Sequence, residues 1–143
     1  MQRSVAARRT AANLHASGVA NLLLGKDDAA IDTLHEALLS ETEEHTVAAA
    51  IEESDNVTLL NDLAAALSNR AINKRRPIPD AAEAFRCADR AWRIGSTPEA
   101  AWNRAIATEA LNGRARSAAA WNDYLAIDQT SPWAAEARKR IAH

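Results

Sequence analysis

Apolar residues recur along this chain at the three- and four-residue spacings of helices, and nowhere alternate as a half-buried strand would. The clearest stretch runs from Pro98 to Trp133. It predicts a helix, a tight turn at Asn112-Gly113, a second helix with Trp121 and Tyr124 three apart, and a Ser131-Pro132 start for a third. A helix pair of this size has an apolar face on each member and cannot bury both by itself. Upstream, residues 5–24 place Ala12, Val19, Leu22 and Leu23 at helical spacings, and Gly25 lies where such a helix ends. Ala30, Ile31, Leu34, Ala37 and Leu38 stripe the next helix, which stops between Ser40 and Glu44; the apolar run 47–51 either continues it or forms a short helix of its own. Ser54-Asp55-Asn56 is an N-cap cluster for a helix burying Leu59, Leu60, Leu63 and Leu67. Beyond a basic, proline-bounded loop at 74–79, Asp80 is expected to cap a helix with Ala84, Ala88, Ala91, Trp92 and Ile94 inward, ending at Gly95. Ser96-Thr97-Pro98 and Ser131-Pro132-Trp133 each join a cap to a proline in the first turn. The basic end of the last helix, Arg138-Lys139-Arg140, complements its dipole.

The same unit recurs three times. Tetratricopeptide repeats (TPRs) are helix–turn–helix units of about 34 residues in which small residues mark close helix crossings and large ones fill the spaces between. Leu14, Ser17-Gly18 and Asn21, then Ala30, Leu34 and Ala37, follow those offsets; so do Leu60, Leu63-Ala64 and Leu67 with Ala84, Ala88 and Ala91. A third copy offers Trp102, Ala105-Ile106 and Glu109, then Ser117, Trp121 and Tyr124, with a turn one residue short. The starts at Leu14, Leu60 and Trp102 lie 46 and 42 residues apart, and both excesses are located, one after Glu44 and one around Pro77. The expected fold is therefore all-α: one domain over 1–143, a TPR-like α-solenoid with repeats at about 11–44, 57–97 and 98–131 and a capping helix over 131–142. An irregular alanine-rich bundle is the alternative.

Composition narrows the class rather than the function. Hydrophobic residues make up 48% of the 143, but aromatics only 4%, so alanine, the best helix former, supplies much of the core. The net charge of −2 gives no global pull toward nucleic acid or anionic lipid. One cysteine, Cys87, cannot form an internal disulfide, and its alanine-rich helix makes it a buried small residue. No apolar run reaches the roughly 20 residues of a membrane span, and the N-terminus lacks the apolar core of a secretory signal, so a cytoplasmic location is expected.

Several segments resemble a narrower group. Leu59-Leu60-Asn61-Asp62-Leu63-Ala64-Ala65-Ala66, Asn103-Arg104-Ala105, Trp121-Asn122-Asp123-Tyr124-Leu125-Ala126-Ile127-Asp128 and Ser131-Pro132-Trp133-Ala134-Ala135-Glu136-Ala137 are similar to the repeat segments of large bacterial proteins that also carry a CHAT domain, a caspase-like protease. The resemblance covers roughly 57–141, and more weakly 14–39. It implies a bacterial scaffold or sensor segment with a CHAT-type protease as candidate partner, not a protease, since the cysteine–histidine dyad has no counterpart here.

Catalytic patterns are missing. His35-Glu36 begins like a zinc-protease helix, but Leu39 stands where the second histidine is needed. His15, His35, His45 and His143 make no ligand spacing, so neither metal nor cofactor is expected, and no enzymatic activity. Charge is unevenly spread: no lysine or arginine occurs between Asp27 and Asn69, whereas Arg70, Lys74, Arg75, Arg76 and later arginines dominate the second half. In a stacked array this gives an acidic first end and a basic second end, able to steer a partner or pair chains head to tail.

In TPRs the first helix of each pair lines the concave face, which makes a peptide- or protein-binding groove the expected function. Its exposed residues here would be His15 and Val19 (with Leu22), Asn61, Ala65, Ser68 and Asn69, then Asn103, Arg104 and Ala107 (with Ala110). Asn61 and Asn103 fall at equivalent places, where amides suit the backbone of an extended peptide, and Arg70 and Arg104 could reach a carboxylate. The lysine–asparagine clamp of chaperone-tail-binding repeats is not reproduced. Two alternatives accompany the groove: self-association through Trp133 and the last helix, and a nucleic-acid adaptor using the basic loop 70–76.

Overall fold

The computed structural model describes residues 5–73 and 77–142. Eight α-helices and one 3-10 turn follow in order: α1 Val5–Leu23, α2 Asp27–Thr42, α3 Val47–Glu53, α4 Val57–Asn73, α5 Pro77–Gly95, α6 Pro98–Asn112, the 3-10 turn Arg114–Arg116, α7 Ala118–Ile127 and α8 Pro132–Ala142. Among the described residues there is no strand, and no helix long and apolar enough to cross a membrane. The run at 47–51 is a separate helix, α3. Glu43 takes a left-handed φ of 59° to end α2, and Thr46 caps α3 by accepting from the Ala49 N–H at 3.2 Å.

Most predicted starts and stops are made by the residues expected. Asn56 Oδ1 accepts from the Leu59 N–H at 3.0 Å, and Thr97 Oγ1 accepts from the Ala100 N–H at 3.2 Å. Gly25 and Gly113, at φ of 73° and 82°, turn the chain after α1 and α6. Asp80 is the exception. With no N–H to lose, Pro77 and Pro79 both fit the first turn, so α5 begins three residues earlier and Asp80 lies inside the helix, buried and facing Arg70.

Packing runs along the chain. α1 lies on α2, α2 on α4, α4 on α5, α5 on α6, α6 on α7 and α7 on α8, while the first helices of successive hairpins touch as α1 with α4 and α4 with α6. Helix α3 wedges between α2 and α5. Leu59, Leu60 and Leu63 are wholly buried, each worth about 2 kcal/mol on burial, in a core cluster drawn from α2 to α6. A second cluster, centred on Trp121, joins α6, α7 and α8, and Trp92 packs against both. The small residues assigned to crossings lie inside, with Ala30, Ala64, Ala84, Ala88, Ala91 and Ala105 all buried.

Two helices depart from the expected burial. α1 buries Ala11 and Gly18, leaving Ala12 and Leu23 exposed, because as the first helix it packs along one face, against α2. Ile94, expected inward, is 40% exposed in the last turn of α5.

Candidate functional site

Helices α1, α4 and α6 carry the residues assigned to a groove, and several of those side chains are engaged within the chain. His15 Nε2 lies 2.7 Å from Asp62 Oδ2, linking α1 to α4. Asn103 Nδ2 donates to the Asn61 backbone carbonyl at 3.3 Å and to Asn61 Oδ1 at 3.4 Å, linking α4 to α6. Both asparagines are half-buried at equivalent places and contact each other, leaving part of each amide toward solvent. Val19 and Ala65 are half-buried and Asn69 is exposed. Ala107 is a correction: expected on the exposed face, it is buried in the cluster shared by α2 to α6, because small residues let α4 and α6 close over it.

The two arginines that could reach a partner's carboxylate already hold carboxylates of this chain. Arg70 donates through Nε and one terminal nitrogen to both oxygens of buried Asp80, at 2.9 and 2.8 Å, and a second terminal nitrogen lies 3.3 Å from Asp28. These hydrogen bonds raise its pKa further against the opposing effect of burial. Arg104 pairs with Asp123 at 2.5 Å and Asp89 at 3.6 Å, with its guanidinium 4.9 Å from the centre of the Trp92 ring. Of the basic loop 70–76, Arg70 is therefore committed internally, and Lys74, Arg75 and Arg76 lie outside the described residues. Cys87 is wholly buried, and burial pushes its thiol pKa up, the opposite of an activated nucleophile.

Two hollows are lined by residues of these helices. The larger, about 580 Å³, opens between α1, the end of α2 and the start of α4, bordered by Arg8, Ala12, His15, Glu41, Asp55 and Asn56. The smaller, about 190 Å³, lies toward the opposite ends of α4 and α6 and reaches α5 and α8; Ser68, Ile72, Ala81, Ile106, Ala110 and Arg140 line it together with Ala71 and Glu109. Of these, Ser68 and Ala110 were expected on an exposed face; Ala110 is exposed, but Ser68 is a correction, buried at 8% exposure where α4 packs on its neighbours. Arg140, Ala81 and Ile72 were not expected here, because they come from α8, α5 and the end of α4, whose places are set only by tertiary packing.

Glu109, an acid where the expected pattern has an aromatic residue, is engaged with two other helices. It accepts from the Trp121 indole N–H at 3.0 Å and from Arg140 at 2.8 Å, and Arg140 lies 5.4 Å from the centre of the Trp121 ring. Trp102 stacks edge-on against Trp121, Tyr124 and Trp133 at 4.8, 5.2 and 5.1 Å between ring centres. At the α7–α8 corner, Asp128 accepts from Tyr124 Oη at 2.5 Å, from the Ser131 hydroxyl and from the Thr130 and Ser131 N–H groups. The Ser131 and Tyr124 hydroxyls hold its pKa down at about 2.

Comparison with family models, with curated proteins and with solved structures finds no match for this chain.

Proposed function

We propose that this chain is a protein–protein interaction module, a TPR-like array whose inner helices α1, α4 and α6 hold an extended peptide of a partner protein. What supports this most is that α1 touches α4 and α4 touches α6, that Asn61 and Asn103 meet half-buried between the last two, and that hollows are lined by residues of these same helices. An extended peptide needs that combination: room for side chains, and amides that pair with its backbone. Contacts that run largely in chain order are what a stacked array of hairpins requires.

Selection of a displayed random-peptide library on the immobilised chain tests it. Peptides that bind the wild type and lose at least tenfold in affinity to Ala12→Trp or Ala65→Arg are expected, since Ala12 borders the larger hollow and Ala65 lies on the inner face of α4. Failure to enrich any sequence, or equal binding by both variants, overturns the proposal.

Self-association is the second reading, favoured by Trp133, which is 61% exposed although one side stacks on Trp102. Light scattering over a dilution series separates the two: a monomer at high concentration removes self-association.

A further inference from the structure

We infer that the smaller hollow is a side-chain pocket that takes one uncharged apolar residue of the bound peptide, such as leucine. This rests on the groove reading above and deepens it. The body of the hollow is apolar, made by Ala71, Ile72, Ala81, Ile106 and Ala110, and its volume of about 190 Å³ suits one aliphatic residue and not a helix. Ala110 and Ile72 are exposed at the rim, Ile72 at 67%, so the hollow is open to a chain passing along the inner helices.

Its polar groups match a peptide unit. Ser68 is 8% exposed, and its hydroxyl is the buried side-chain group with no hydrogen-bond partner among the described residues. A buried hydroxyl without a partner costs free energy that an incoming carbonyl would recover. The Glu109 carboxylate is an acceptor on the same wall: Oε1 faces Arg140 at 2.8 Å and Arg114 at 3.6 Å, while Oε2 takes the Trp121 N–H at 3.0 Å and has lone-pair capacity beyond it. One donor and one acceptor beside an apolar body are what the C=O, N–H and side chain of a single aliphatic residue require. The wall's charges are already paired, Glu109 with Arg140 at 2.8 Å and Arg114 at 3.6 Å, and Arg140 with Glu136 at 3.3 Å, so a charged side chain entering the hollow would lose its hydration with no free counter-charge to replace it.

The probe is N-acetyl-leucine methylamide, titrated into the full chain and followed by amide NMR, with the N-acetyl methylamides of aspartate and lysine as comparators. Saturable shifts at Ser68, Ile72, Ala81 and Ala110 and at the Trp121 indole N–H are expected with leucine and not with the charged analogues. Ala110→Phe, at an exposed position that leaves the fold intact, fills the hollow and should abolish the shifts. Ser68→Ala should weaken binding about threefold to tenfold, the worth of one hydrogen bond. No saturable shift, equal shifts with the charged analogues, or shifts that survive Ala110→Phe would overturn the inference. If library-selected peptides still bind and are lost in Ala12→Trp, the groove stands and only the pocket falls; if the leucine probe binds while no peptide is ever enriched, the pocket stands without the groove.

Discussion

Gly18 and Leu34 meet so closely that no side chain fits between them: a β-carbon on Gly18 would lie 2.6 Å from Leu34 Cδ2 and 2.7 Å from its Cγ. Leu34 is wholly buried, so it has nowhere to retreat. Gly18→Ala gains about 1 kcal/mol of helix propensity but incurs overpacking of about 1–3 kcal/mol. A net loss of about 1 kcal/mol is expected by urea denaturation. In a Leu34→Ala background, itself destabilised, the clash is gone, and Gly18→Ala should become neutral or stabilising. An additive double mutant would show that the two residues do not nest.

Arg70→Ala removes both partners of the Asp80 carboxylate, whose side chain is only 7% exposed, and leaves a buried charge. A loss of about 3 kcal/mol is expected. Arg70→Lys should recover less than half of it, because an ammonium cannot supply the fork. Thermal melts of the three proteins check both statements.

Replacing Glu109 distinguishes its two tasks. Glu109→Gln keeps an acceptor for the buried Trp121 indole N–H, whereas Glu109→Leu leaves that donor and Arg140 without it. Leucine should therefore cost about 1–2 kcal/mol more than glutamine despite being the more apolar residue. Unfolding followed by tryptophan fluorescence measures the difference.

Asp128 sets part of the acid limb of stability. Its folded pKa of about 2 lies below the unfolded carboxylate value of about 4, so the α7–α8 corner is held fully above that unfolded value and released as pH falls through about 2. Asp128→Asn should lose stability near neutral pH and show a shallower decline between about pH 5 and pH 2 than the wild type. Parallel acid slopes in the two proteins would exclude this role.

Cys87 should be silent toward thiol reagents in the native state, since it is buried and its pKa is raised by desolvation. Labelling by an aromatic disulfide reagent is expected at the rate of unfolding and not before. Prompt labelling of the folded chain would contradict the burial.

The helices and their ends were legible in the sequence wherever local chemistry decides them. Thr97 and Asn56 cap through their own side chains, Gly25 and Gly113 take backbone angles that other residues resist, and the leucines of α4 repeat at the helical period. Small residues expected inside were legible too: Gly18, Ala30 and Ala64 are buried, and Gly18 lies directly against Leu34 of α2. What only the tertiary structure decided is which polar groups find each other. Arg70 and Asp28, or Glu109 and Arg140, lie 42 and 31 positions apart, and their union depends on how far each hairpin turns against the next. The same rotation closed α4 and α6 over Ala107 and left space beside Ser68. Local propensity is fixed residue by residue, but the spaces between helices are differences between packed surfaces, and no single segment encodes them.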